Sequence, residues 1–310
     1  MDYTKRQCLC SNSTSALRIA IAIGISLLGA VGLSHAQLGA PAQRVVIITL
    51  DGLAAWVLPN ADCPNIRMLM RDGCWTMNAR TVRPSETLPA HTSLLTALPP
   101  SEHHVDWNHY LPQRGYLRRK TLFTFAKWAG LKTAMIIGKK KLFHLANPQW
   151  VDYAPIIKRA NARKIADAAV KCIEEFQPHV LLVHFPDPDW MGHKYGWGSK
   201  QQLRAIEECD TGVGKIVTAI KRKGWWRVTL LIVTADHGGH NRIHHTRHPY
   251  DITIPWICSG GAVKARGELK GNISICDTAP TAAYALALYM PDRWKRRAIS
   301  KIFEEGGLDK

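Results

Sequence analysis

Five short runs, Val45 to Leu50, Thr133 to Ile137, Val180 to Phe185, Val228 to Thr234 and Ile254 to Cys258, contain no Asp, Glu, Lys or Arg. Unbroken apolar runs of this length suit strands covered on both faces, since a half-exposed strand would alternate apolar with polar residues. Ala162 to Phe176 and Gln201 to Lys223 carry helical spacing instead; in the second, Ile206, Val213, Ile216, Val217 and Ile220 fall on one stripe. Strands alternating with helices predict an α/β three-layer sandwich with a mainly parallel central sheet and helices on both faces. Neither a repeat nor a linker divides the chain after its first segment, so residues 37–310 read as one domain. The stretch 98–149, rich in Trp, Tyr, His and basic residues, reads as an insertion or lid over a site.

The first segment stands apart. Lys5, Arg6 and Arg18 precede an uncharged apolar run from Ile19 to Leu33, followed by Ser34, His35 and Ala36. Fifteen apolar residues are too short to span a bilayer of about 30 Å, and small residues at Ser34 and Ala36 suit cleavage, so residues 1–36 are expected to be a secretory signal peptide. The expectation is a periplasmic or secreted protein without stable membrane insertion. Cys63, Cys74, Cys172, Cys209, Cys258 and Cys276 would then meet an oxidising compartment, where disulfides are allowed. Their scattered spacing argues against a cysteine zinc site.

The 310 residues carry 41 Lys plus Arg against 24 Asp plus Glu, a formal charge of +17, and such a field attracts anions without naming one. Hydrophobic residues make up 46%, with 11 Trp, which excludes a disordered or low-complexity chain.

In open α/β sheets, ligands collect at the carboxyl ends of the strands. Asp51 follows the first run directly. His184 ends the third, which leads into Asp187, Asp189 and His193, and Asp236 and His237 close the fourth, with His240, His244, His245 and His248 soon after. Each has a bland reading as a turn, a helix cap or a surface hydrogen bond. Converging on one sheet edge, these like charges would instead need cations between them, and mixed Asp and His donors suit zinc or a similar transition ion. At least three carboxylates and two imidazoles exceed the four ligands of one tetrahedral zinc, so two divalent metal ions are expected.

A nucleophile is offered by Arg83-Pro84-Ser85-Glu86-Thr87-Leu88-Pro89-Ala90-His91. Thr87 opens an apolar helical pattern, where free backbone N–H groups and the helix dipole favour an alkoxide and an incoming phosphate. Ser85 competes, but lies outside that helix. Lys139, Lys140 and Lys141 follow a strand and read either as a phosphate contact or as a solvated face. Trp107, Tyr110 and Trp190 read either as stacking partners for a base or as packing.

The segments ITLDG, SETLPAHTSLLTALPPSEHHVDWN, PDWMGHKYG and TADHGGHNRIHHTRHPYDITIPW, in this order, resemble the type I phosphodiesterase/nucleotide pyrophosphatase branch of the alkaline phosphatase superfamily. The likeness runs from about Arg44 to Gly260. It implies an alkaline-phosphatase-like fold and a covalent phospho-threonine intermediate on Thr87 between two zinc ions. Carried over by position, Asp51, Thr87, Asp236 and His237 match one metal site, and Asp189, His193 and His244 the other. His240 and His248 remain alternatives to His244, since His245 replaces a glycine of the bacterial pattern. Ala90 stands where better-known nucleotide pyrophosphatases carry an asparagine that holds phosphate, and Asn108 is the candidate for the missing substrate-binding amide.

The resemblance implies a phosphorylated small-molecule or nucleotide substrate and no specific nucleic-acid partner, and leaves the oligomeric state open. Alternatives are a phosphomonoesterase or phosphonate hydrolase of the same superfamily, or a non-catalytic secreted anion-binding protein. A sulfatase would need a nucleophile in a C-x-P-x-R setting. Cys63-Pro64-Asn65-Ile66-Arg67 has its proline one place early.

Overall fold

The five apolar runs become five adjacent strands of a seven-stranded sheet of order β3-β4-β1-β5-β6-β2-β7. These are β1 (Arg44–Leu50), β2 (Cys74–Arg80), β3 (Thr133–Ile137), β4 (Val180–Phe185), β5 (Thr229–Thr234), β6 (Thr253–Ser259) and the two-residue β7 (Gly267–Glu268). The computed structural model describes residues 39–295, 297–306 and 308, so the signal peptide expected at residues 1–36 lies outside the described residues.

β3, β4, β1 and β5 run parallel, as expected of strands buried on both faces. β6 reverses direction against β5, and β2 pairs antiparallel with β6, so the sheet is mixed although mainly parallel. β2 escapes sequence reading because Cys-Trp-Thr-Met-Asn-Ala-Arg alternates buried with partly exposed residues and carries no unbroken apolar run. Along β1, Val45, Ile47, Ile48 and Leu50 are at most 1% exposed, each contributing about 1.5–3 kcal/mol by burial.

The helices fall into two packed groups. The first joins α1 (Pro64–Arg71), α4 (Ala162–Lys171), α5 (Asp187–Tyr195) and α6 (Lys200–Arg222); α6 reaches β1, and α4 covers β3 and β4. The second joins α2 (Thr87–Thr96), α3 (Leu122–Trp128) and α7 (Thr278–Ala285), with α7 packed on β5. The helical pattern read over Ala162 to Phe176 is an α-helix to Lys171 that widens to a π turn over Cys172–Phe176. Within 98–149, α3 and edge strand β3 belong to the sandwich itself, so a covering role is left only to the segments flanking them.

The six described cysteines are free and buried. Cys74 and Cys258 face each other across the β2–β6 pair. Among the described residues no helix is long and apolar enough to cross a membrane.

Candidate metal centre

Because β4, β1 and β5 are adjacent and parallel, their carboxyl ends share one sheet edge, and neighbouring strands lie only about 4.8 Å apart. Asp51 follows β1, Asp236 and His237 follow β5, and α5 begins right after β4 with Asp189 and His193 one helical turn apart. The chain can fold this tightly at the end of β1 because Gly52 adopts φ +73°. A Cβ there would meet Asp189 Cα at 3.1 Å.

Two overlapping groups of donors result: Asp51, Asp189 and His237, and Asp189, His193 and His244. Asp189 belongs to both. Its Oδ1 lies 3.3 Å from His193 Nε2, 3.7 Å from His244 Nε2 and 3.8 Å from His237 Nε2. His237 Nε2 is in turn 3.3 Å from Asp51 Oδ1 and 3.6 Å from Asp236 Oδ2. Four of these atoms, Asp51 Oδ1, Asp189 Oδ1, Asp236 Oδ2 and His237 Nε2, are buried without a hydrogen-bond partner. Orphaned buried polar atoms cost free energy, and converging oxygen and nitrogen donors suit a divalent transition ion. The donor set therefore fits a metal.

The ring orientations are fixed from the backbone. His193 Nδ1 donates to the Arg242 carbonyl at 2.9 Å, His237 Nδ1 to Gly238 at 2.8 Å and His244 Nδ1 to Ser85 at 2.7 Å. Each bond leaves Nε2 as the lone-pair nitrogen facing the carboxylates, the arrangement typical of histidine ligands. Ser85 also donates its hydroxyl to the His244 carbonyl, so this competitor of Thr87 fixes the His244 backbone. His240 and His248 turn elsewhere. His240 bonds Asp251 at 2.7 Å and stacks on His248 at 4.2 Å. Of the three alternatives, only His244 joins the cluster.

Burial and charge pull the titratable groups of the cage in different directions. The carboxyl of Asp236 is pushed up to about 6 by burial and by Asp51. Burial opposes protonation of His237, but Asp236 and Asp51 outweigh it and push the imidazole up to about 9. His244 is driven down to about 3 by burial and by His237 beside it.

Thr87 is the first residue of α2, preceded by Glu86 in extended conformation, and its hydroxyl donates to Asp51 Oδ2 at 3.5 Å. His91, one turn on, donates from Nδ1 to the Thr87 carbonyl and accepts the Thr49 hydroxyl, tying the helix head to β1. Asn108 accepts the Leu88 backbone N–H at 3.1 Å, which fixes its amide at the head of α2. Ala90 is fully buried within α2.

Three more residues support the cage, and of these only Trp197 was not singled out from sequence. Lys139, following β3 as the aspartates follow their own strands, is a buried cage residue: its ammonium lies 2.8 Å from Asp51 Oδ2 and 2.5 Å from Asp189 Oδ2. Burial opposes its charge, but Asp51 and Asp189 outweigh it and hold the ammonium above the usual lysine range. His184 accepts the Gly138 N–H at Nδ1 and so donates from Nε2 to Asp51 Oδ2 at 2.7 Å. Trp197 donates to the Gly52 carbonyl at 2.8 Å and packs edge-on against His193. Lys139 and His184 were visible as polar residues at strand ends, whereas Trp197 carries no local signal.

The other sequence candidates separate clearly. Tyr110 and Trp190 line a cavity of about 650 Å³ with Ile137, Lys140 and Phe143, while Trp107 packs against Arg114. Cys63 is buried at the start of α1, where its neighbours are Asp210 and Glu207 of α6, and burial pushes its thiol up to about 12. Such a group is no nucleophile.

A profile of the type I phosphodiesterase/nucleotide pyrophosphatase family matches residues 45–248. The chain is 24% identical to bis(5'-adenosyl)-triphosphatase ENPP4 of Bos taurus over 63% of its length and 47% of the relative. It is 27% identical to venom phosphodiesterase 2 of Crotalus adamanteus over 67% of its length and 28% of the relative. It thus spans less than half of either. Among solved structures, inactive murine ectonucleotide pyrophosphatase/phosphodiesterase 5 in complex with AMP superposes with TM-score 0.67 at 13% identity, covering 80% of this chain and 96% of that one. A phosphonate monoester hydrolase from Silicibacter pomeroyi gives 0.65 at 15% identity, covering 85% and 77%. With that profile over most of its length and those motifs gathered at one sheet edge, the chain belongs to the type I phosphodiesterase/nucleotide pyrophosphatase family.

Proposed function

We propose that this protein is an exported, metal-dependent hydrolase of phosphoric esters that acts through Thr87. The observation that carries the reading is the set of four orphaned Asp and His atoms beside a threonine hydroxyl at the head of a ten-residue helix. Asp51, Asp236 and His237, with Thr87, would hold one divalent ion, and Asp189, His193 and His244 a second, zinc being the ion such donors suit. When bound, the ions would supply Lewis acidity and a low-pKa environment for the attacking hydroxyl.

The chain's own residues account for the rest. Thr87 Oγ1 attacks phosphorus as the P–O bond to the leaving group breaks; that bond's electron pair departs on the leaving oxygen, which takes up the proton released by the Thr87 hydroxyl. Water then attacks from the vacated side, breaking the Thr87 Oγ1–phosphorus bond, and one of its protons restores the hydroxyl while its oxygen stays on phosphorus. The helix head and the Asn108 amide would supply donors to phosphoryl oxygens, Asn108 being held at that helix head by the Leu88 N–H. His91 fixes the Thr87 backbone, and His184 fixes Asp51, so little reorganisation is needed during the reaction. The cavity with Tyr110 and Trp190 would receive the substituent that is not transferred; the AMP complex of the murine relative makes a nucleotide the natural candidate.

The test is a panel of bis(p-nitrophenyl) phosphate, p-nitrophenyl phosphate and a phosphonate ester, with metal analysis on the same sample. Hydrolysis that EDTA abolishes and zinc restores is expected. Metal-loaded protein that cleaves none of the three, yet binds polyanions in a salt-dependent, chelator-insensitive way, would establish the anion-binding alternative.

A further inference from the structure

Each cage aspartate that Lys139 touches uses its two oxygens differently. The orphaned atoms are Asp51 Oδ1 and Asp189 Oδ1, whereas the ammonium binds Oδ2 of both. Lys139 therefore leaves the metal-facing oxygens free, and it bridges the two donor groups from behind. Its side chain is only 9% exposed, and its Nζ lies 3.4 Å from Thr87 Oγ1. An ammonium so placed has a hydrogen to spare for whatever oxygen sits at the nucleophile.

From this geometry we infer that Lys139 is a catalytic residue: a third, permanent cation of the centre, whose one remaining N–H rests on the Thr87 oxygen and turns to a non-bridging oxygen of the transferred phosphoryl group once that group arrives. The inference rests on the reading of the site as a phosphoryl-transfer centre and sharpens its substrate class. Asp51, Asp189 and Asp236 place three negative charges in the cage. Two divalent ions would overcompensate them by one positive charge, and Lys139 raises that excess to two. A dianionic phosphoryl group, as in a monoester or a terminal phosphate, neutralises that excess; a diester, with a single charge, does not. Lys139 thus selects for a terminal phosphoryl group over an internal diester. Neighbouring Lys140 does not share the role, since its ammonium lies 4.4 Å from the Tyr110 ring centroid at the cavity wall.

The experiment compares Lys139→Met, Lys139→Arg and the parent protein, all loaded with zinc and checked for metal content. Inorganic phosphate binding is measured by calorimetry, and kcat/KM is measured on p-nitrophenyl phosphate and on bis(p-nitrophenyl) phosphate. Lys139→Met is expected to weaken phosphate binding tenfold or more. It should lower monoester turnover by about 10²–10³, the usual loss for one preorganised donor, and diester turnover by a clearly smaller factor. Lys139→Arg should recover part of the phosphate affinity. Unchanged phosphate affinity per metal-loaded site, or equal losses on both esters, would overturn the inference. Should the parent cleave no ester, the hydrolase reading fails while phosphate binding still decides the role of Lys139. Should the parent cleave esters with a monoester-to-diester ratio that Lys139→Met leaves intact, the hydrolase reading stands and the role of Lys139 falls.

Discussion

The imidazoles of His237 and His244 lie face to face, with ring centroids 3.8 Å apart and planes 11° from parallel. One ring directly follows β5 and the other comes from the loop beyond, so this stack joins the two donor groups across the centre. His244→Ala is expected to lower zinc affinity by at least about 10-fold, the scale seen even for residues that merely support metal ligands. His248→Ala should stay within about twofold, because His248 stacks on His240 and packs edge-on against Tyr250 rather than on a cage residue. Chelator competition on both variants checks the pair, and the reverse order would exchange the ligand assignment.

Thr87→Ala should remove turnover by about 10⁴-fold or more while leaving metal content near the parent value, since the carboxylates and imidazoles hold the ions without it. Metal analysis and a burst measurement of leaving-group release on the same preparation provide the check. Full activity in the variant would transfer the nucleophile elsewhere.

Asp236 has one oxygen well used and one stranded. Oδ1 accepts the Gly52 and His237 backbone N–H groups at 3.0 and 2.9 Å, and Oδ2 is buried without a partner. Asp236→Asn can keep the first set of bonds while removing a buried charge. Metal-free Asp236→Asn is therefore expected to be more stable than the parent by about 1–3 kcal/mol, with weaker zinc binding. Urea unfolding in EDTA and again in excess zinc should show the two proteins changing rank.

Trp197 holds the centre through contacts rather than ligation, reaching the Gly52 carbonyl with its indole and packing on His193. Trp197→Phe should lower zinc affinity by about 10-fold without unfolding the protein. Gly239→Ala should be far more damaging, since a Cβ there would come within 2.2 Å of Trp197 Cε2. Circular dichroism with zinc titration distinguishes the mild variant from the severe one.

Away from the centre, buried His103 accepts the Val105 N–H at Nδ1, so Nε2 donates to the Ser93 hydroxyl at 2.9 Å. Burial pushes its pKa down to about 4. Above about pH 6.5 the ring is neutral folded or unfolded, and His103 adds no pH dependence. As pH falls below 6.5 the unfolded chain takes up a proton that the folded protein refuses, so stability declines until about pH 4 and then levels. His103→Gln should flatten the decline between those limits in denaturant titrations.

Much of this was legible because strand burial and site chemistry share one signal. The runs ending at Leu50, Phe185 and Thr234 announce the parallel strands, and the acids just beyond them announce the centre. β2 was illegible because one face of Cys74–Arg80 is partly exposed and its register slips between Thr76 and Ala79. Lys139 stayed open between two readings for a different reason. A lysine in a run of three reads as solvated until the carboxylates that neutralise it are known to meet there. His244 could not be separated from His240 and His248 by spacing, because what orients its ring is the Ser85 carbonyl, far away in the chain.

The centre draws on strands β4, β1 and β5, whose parallel pairing joins segments remote in sequence. Long-range parallel contacts form late, after the loop-closure entropy has been met. An ion at this edge therefore cannot seed folding. It acts as a latch on finished architecture, adding about 2.7 kcal/mol at a hundredfold excess over its dissociation constant, and only to chains whose sheet has already closed.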